Sequence, residues 1–181
     1  MKLLLSVLAL VLLCASAHGQ DGNVIVNPGS TISCTTDGET GFTAKNWTIG
    51  GTVAGSFTGT GGGAGVSAPA LRDLVITKTF DSCSEKLIKA FLMGSTTAIP
   101  TLTLTQYSAA KGDAKPIPLI VITLTDALIN LYTVSGAPNV NPVETLDFNY
   151  KKMCIASTTM NAEGASSTTK VCYNVSSDKL S

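Results

Sequence analysis

The dominant signal along the chain is period two. Thr101-Leu102-Thr103-Leu104-Thr105 alternates strictly, giving one apolar and one hydroxylated face, which is the pattern of a half-buried strand. Ile120, Ile122 and Leu124 repeat it, with Thr123 and Thr125 on the other side. Leu74, Ile76 and Phe80 share a face that Lys78 interrupts, while Thr77 and Thr79 point away. Leu146, Phe148 and Tyr150 alternate with Asp147 and Asn149. Lys151-Lys152 then breaks the phase, since Met153 and Ile155 have the opposite parity, and a β-bulge there is expected to return them to the core. Weaker strand patterns cover about 24–35, 42–57, 128–135 and 168–176, with turn-rich segments between them.

One segment has helical period. Ser82-Cys83-Ser84-Glu85 reads as a capping box, followed by Leu87, Ile88, Phe91 and Leu92 on one stripe, with Gly94 in the terminating position. The expectation is one helix over about 82–93, laid against a sheet. No linker, charge run or repeat divides the chain, so residues 20–181 are expected to form a single mainly β domain.

Residues 1–19 read as a secretory signal. Lys2 is the positive end, Leu3 to Leu13 is apolar apart from Ser6, and Cys14-Ala15-Ser16-Ala17-His18-Gly19 supplies the small residues of a cleavage site after Ala17 or Gly19. A run of about eleven residues is half of what a membrane-spanning helix needs, and no later stretch matches it. The expected destination is extracellular.

That leader changes how the composition reads. The only histidine of the 181 residues is His18, so cleavage leaves none. Catalysis by Ser-His-Asp or Cys-His and every His-ligated metal site then fall away, and no cofactor is expected. The twelve acidic residues are scattered without the pairing of acid–base chemistry. With 13% charged residues and zero formal net charge, the chain lacks the basic footprint of a nucleic-acid binder. High Gly and Thr content with 6% aromatics fits an all-β globular protein.

Four cysteines remain after Cys14 is lost: Cys34, Cys83, Cys154 and Cys172. An even number in a secreted chain points to two disulfides. Folding the polar segment 158–167 as a hairpin about residue 163 sets Cys154 opposite Cys172, which leaves Cys34 for Cys83. Asn46-Trp47-Thr48 and Asn174-Val175-Ser176 are glycan acceptor triplets. Trp47 reads as a core or sheet residue, and Asp81 as support for the helix dipole.

Gly59-Thr60-Gly61-Gly62-Gly63-Ala64-Gly65 imitates a dinucleotide fingerprint. Such a motif needs a helix immediately after the glycines to receive the pyrophosphate. Val66-Ser67-Ala68-Pro69-Ala70 leaves no room for one, so the stretch reads as an excursion loop.

The order of features resembles the haemolysin-coregulated protein (Hcp) family, the tube protein of bacterial type VI secretion. The family's Lys-x-x-Asp-x-x-Ser-x-x-Leu run is met by Lys78, Asp81, Ser84 and Leu87. Its Leu-Thr-Asp/Asn strand end is met by Leu124-Thr125-Asp126. Its Pro-x-Glu-x-x-x-Phe-Asn-Tyr-x-Lys signature is met by Pro142, Glu144, Phe148, Asn149, Tyr150 and Lys152. The match is firm over about residues 55–157. The resemblance implies a small two-sheet β-barrel with one flanking helix, assembling with copies of itself into hexameric rings, and no catalytic residues. It makes Gly59, Gly61, Gly62, Gly63 and Gly65 part of a protruding loop that contacts the neighbouring ring. The chain departs from the family in its leader, its cysteines and its glycan acceptors. After Tyr150-Lys151-Lys152 the family continues Ile-Glu-Trp/Phe-x-Tyr, where this chain has Met153-Cys154-Ile155-Ala156-Ser157, with Cys154 in the outward acidic position. Two roles follow. One is a secreted, non-enzymatic structural protein that binds itself or an unidentified protein partner. The other is a tube or effector component of a type VI machine.

Overall fold

A computed structural model describes residues 23–36, 39–56, 65–94, 98–109, 115–160 and 166–180. The leader 1–19 and the loop glycines at 59, 61, 62 and 63 lie outside them. The strands in chain order are β1 (Val24–Asn27), β2 (Thr35–Thr36), β3 (Glu39–Thr40), β4 (Phe42–Ala44), β5 (Asn46–Thr48), β6 (Gly51–Thr52), β7 (Gly55–Ser56), β8 (Gly65–Val66) and β9 (Ala70–Leu71). They continue as β10 (Leu74–Thr79), β11 (Ile99–Tyr107), β12 (Pro118–Ala137), β13 (Val140–Asn149), β14 (Lys152–Met160), β15 (Ser166–Asn174) and β16 (Lys179–Leu180). A short 3-10 turn occupies Gly29–Ile32, and helix α1 (Ser84–Met93) follows β10.

Two antiparallel layers share one strand. The first runs β16-β15-β14-β12-β11-β1-β4, and the second joins β12 to β13, β10 and β5. Residues 120–125 of β12 pair with β14, whereas residues from Leu128 onward pair with β13. The change of layer falls at Asp126, whose φ of 51° is a left-handed conformation that a short polar side chain tolerates. At the opposite side the chain passes from β4 to β5 through Lys45, whose N–H binds Thr77 O at 2.8 Å. The hydrogen-bonded ladders do not close into the barrel expected from the resemblance. The layers meet at two corners where the chain itself crosses over.

Alternation decides what is buried. Leu102, Leu104, Ile122 and Leu124 from the first layer, and Leu74, Ile76, Leu146 and Phe148 from the second, are all fully buried in one core. Burying each such side chain contributes roughly 1.5–3 kcal/mol relative to exposure. Phe80, expected on that face, is instead 45% exposed, because β10 ends at Thr79. The bulge expected at Lys151-Lys152 is also corrected. The strand ends at Asn149 and a new one begins at Lys152, pairing with β12 in the other layer. Met153 and Ile155 still pack on the core, now through a corner.

The helix is shorter than its motif suggested. It begins at Ser84, and no side chain caps it from Cys83. Ser84 and Asp81, rather than Ser82, tie down the turn that leads into the helix. Asp81 N–H donates to Ser84 Oγ at 2.8 Å, and Cys83 N–H donates to Asp81 Oδ1 at 2.8 Å. Gly94 ends the helix, its N–H on Phe91 O. Leu87 and Ala90 form the buried stripe, with Phe91 partly buried against the core. Leu92 is 75% exposed, which removes it from the stripe.

Candidate functional site

Four residues of the sequence signature, Lys78, Asp81, Ser84 and Glu144, converge at the junction of β10, β13 and α1. Lys78 and Glu144 sit directly opposite each other in the β10–β13 register, next after the apolar pairs Leu74–Phe148 and Ile76–Leu146. Both face inward and both are fully buried. Lys78 Nζ lies 2.6 Å from Glu144 Oε2 and 2.8 Å from Asp81 Oδ1. It also donates to Thr79 O at 2.8 Å and Ser84 Oγ at 3.2 Å, and lies 5.5 Å from the centre of the Phe42 ring. The second oxygen of Glu144 accepts the Tyr132 hydroxyl proton. Burial, and then this bond, push the Tyr132 phenol above its usual range. The Tyr132 ring in turn lies 6.0 Å from that of Phe91 on the helix.

Every group in this knot binds another. A buried ammonium is tolerable only when its protons have acceptors and a counter-charge, and here both conditions hold. The arrangement pins the first turn of α1 to two strands. It is therefore a positioning device. Lys78 and Glu144 both stand in the family signature, but the sequence pattern alone did not pair them. The available signal was parity, since Glu144 shares its face with Leu146 and Phe148.

A second set holds the strand corners. Asp73 accepts from Asn149 Nδ2 at 2.9 Å and from Asn130 Nδ2. The Tyr150 hydroxyl donates to Arg72 O at 3.0 Å, and burial, followed by the Asp73 charge, pushes its pKa up to about 12. Lys151 Nζ lies 3.4 Å from Asp126 Oδ2, an exposed pair that contributes little. Trp47, half-buried on the core, donates Nε1–H to Gln106 Oε1 at 3.1 Å and so stitches β5 to β11.

The elements available for assembly lie outside this frame. β6 pairs with β9, and β7 with β8, so residues 51–56 and 65–71 form a narrow ribbon leading to the glycine-rich loop. Gly65 is the first residue of β8. Gly51 is required at the ribbon's root, because an added Cβ would meet Ala70 O at 2.9 Å and the Leu71 side chain at 2.9 Å. Apolar side chains also face solvent on the long β12–β13 hairpin, with Leu131 41%, Val134 48% and Val140 63% exposed.

The four cysteines among the described residues divide into two pairs. Cys154 and Cys172 are directly opposed in the β14–β15 register and joined by a disulfide, their Cα atoms 4.0 Å apart. Cys154 also faces Thr123, on the side of the sheet away from Ile122 and Leu124. Cys34 and Cys83 are free buried thiols in this structure, so the second expected bridge is not formed in it. Of the acceptor asparagines, Asn46 is exposed on β5. Asn174 is half-buried, its side-chain oxygen accepting the N–H groups of Ser176 and Ser177 and the Ser176 hydroxyl.

Residues 22–156 match the sequence model of the family described as "Type VI secretion system effector, Hcp". No curated sequence matches the chain. Among solved structures, it is similar to one described as a type six secretion system protein, at 20% identity and a TM-score of 0.76, covering 88% of this chain and 99% of that one. Hcp1 from Salmonella typhimurium is similar at 15% identity and a TM-score of 0.67, with 89% and 99% covered. The secreted protein Hcp3 from Pseudomonas aeruginosa is similar at 15% identity and a TM-score of 0.54, with 82% and 97% covered. At these identities the structures speak for the fold.

Proposed function

We propose, for a chain that belongs to the Hcp family of type VI secretion system effectors, the role of a non-enzymatic structural subunit that assembles with copies of itself into hexameric rings. The observation that carries this reading is the family match over residues 22–156, whose signature residues build the frame between helix and sheet. The partner is a second copy of the chain. The exposed valines of the β12–β13 hairpin supply apolar surface for contact within a ring, since apolar patches on a soluble subunit mark interaction sites. The glycine-rich segment that joins the two sides of the ribbon, residues 51–56 and 65–71, supplies the contact with the next ring. Ordering such a loop costs conformational entropy, which a contact between rings offsets.

Export through the general secretory route follows from the leader over residues 1–19. It distinguishes this reading from the second one, a tube or effector component delivered by a type VI machine, which the family description itself favours. The N-terminal residue of the exported protein separates the two. A start at His18 or Gln20 supports the secretory route, and a start at Met1 supports the machine.

Electron microscopy of the purified mature chain tests the assembly. Six-fold rings that stack are expected, and shortening the loop 57–64 should abolish stacking while leaving rings intact. Isolated monomers at every concentration would contradict the proposal.

A further inference from the structure

Cys34 and Cys83 lie 49 positions apart in sequence yet meet in the fold, each only 1% exposed. Cys34 follows the 3-10 turn Gly29–Ile32, and Cys83 directly precedes α1. Gly41 brings the two cysteines together, its N–H on Cys34 O and its own carbonyl oxygen beside Cys83 Sγ. Cys83 Sγ lies 3.8 Å from Gly41 O and 3.7 Å from Thr36 Oγ1. The short β2–β3 hairpin therefore packs directly against the pair, and its end is fixed by Gly41 N–H on Cys34 O at 2.9 Å. Lys86 Nζ, one turn into the helix, donates to Ser33 O beside it. Two thiols thus stand at a junction between the N-terminal segment and the start of the helix.

We propose that Cys34 and Cys83 form a second intrachain disulfide by exchange with a disulfide donor, either a small molecule such as oxidised glutathione or the disulfide of an oxidoreductase. One cysteine thiolate attacks a donor sulfur, forming a mixed disulfide and expelling one donor thiolate. The other cysteine thiolate then attacks the chain's sulfur of that mixed disulfide and expels the second donor thiolate. The chain loses two electrons and two protons, and the donor disulfide is reduced to two thiols.

Burial decides when this happens. Removal from water, reinforced by the neighbouring Cys83, pushes the Cys34 thiol up to about 12. The thiolate is the nucleophile, so the folded reduced chain reacts only when the β2–β3 hairpin opens. The bridge is therefore set where the chain folds. Synthesis in an oxidising compartment fixes it, and synthesis among reduced thiols leaves the pair open. Once formed, it is shielded from reductant by the same hairpin.

The test uses the mature chain, unfolded with all four cysteines reduced, then refolded in parallel with oxidised or with reduced glutathione. Each sample is alkylated before and after unfolding and mapped without reduction. The chain folded with oxidised glutathione is expected to lack all four thiol hydrogens and to yield a Cys34–Cys83 peptide beside Cys154–Cys172. The chain folded with reduced glutathione is expected to alkylate at Cys34 and Cys83 only after unfolding. A Cys34→Ala chain should leave Cys83 as a buried thiol under both conditions. The proposal is overturned if Cys34 and Cys83 remain alkylatable after oxidative folding, if they end as glutathione adducts, or if either pairs with Cys154 or Cys172. The wild-type map decides alone should the variant fail to fold.

Discussion

Lys78 and Glu144 face each other across the β10–β13 ladder, Nζ 2.6 Å from Oε2, with neither side chain exposed. Taking two charges out of water costs several kcal/mol each, recovered only while both are present and hydrogen-bonded. Glu144→Ala should therefore destabilise the chain by about 3–5 kcal/mol, because it leaves the buried ammonium only the partly exposed Asp81 carboxylate as counter-charge. The double variant Lys78→Met with Glu144→Leu should recover most of that loss, since a well-packed apolar pair replaces a buried ion pair at little net cost. Urea unfolding of the three proteins measures this. Equal losses in the single and double variants would show that the pair itself, rather than an orphaned charge, carries the stability.

Gly41 has φ of +115°, and a Cβ there would lie 2.2 Å from Val26 O. Both the conformation and the space exclude a side chain. Gly41→Ala should cost about 2–4 kcal/mol, combining backbone strain with overpacking. It should also loosen the β2–β3 hairpin beside Cys83, read as faster alkylation of the buried thiols in the reduced chain. An unchanged melting temperature would contradict this.

Asp147 is flanked by Val75 and Leu131 across its two ladders. Burial, and then the charge of Asp73, raise its pKa above 3.8. A carboxyl raised in the folded state binds its proton more tightly there than in the unfolded chain. Its contribution to stability therefore falls as pH rises from 3.8 through the folded value, then levels off. Asp147→Asn should be more stable than the native chain at neutral pH, and the advantage should shrink as pH drops below that window. Thermal melts across pH 3–7 test the sign. An advantage that grows on acidification would refute it.

Val134 and Val140 are 48% and 63% exposed on the β12–β13 hairpin. Replacing both with Lys should change subunit stability by no more than about 0.5 kcal/mol each, the usual range for surface substitutions, while preventing ring formation. Sedimentation of the double variant reads both expectations at once. Intact rings would move the contact surface elsewhere.

Strand period and helix position were legible because each rests on local alternation. Leu102 with Leu104, Ile122 with Leu124, and Leu146 with Phe148 are buried in the parity that the sequence assigns them. The opposition of Cys154 and Cys172 was legible for the same reason, as it follows from counting outward from one turn. What depends on distant chain was not. Val171 and Leu180 have core-side parity, paired in register with Ile155 and Tyr173, yet are 62% and 74% exposed. The second layer has four strands against seven in the first, so among the described residues nothing covers that end of the sheet. Leu92 and Phe80 fail similarly, each one step past the point where an element stops facing the core. The corner at Asp126 was hidden because the apolar alternation of β12 carries no mark of it, and only its left-handed φ and the change of partners reveal the turn from one layer to the other.

Self-assembly of this family subunit is tested most directly by the mass of the chain without its leader in solution. Native mass spectrometry at micromolar concentration should show a dominant species of six copies, with larger multiples of six appearing as rings stack. A spectrum of single copies that does not change with concentration would contradict the account.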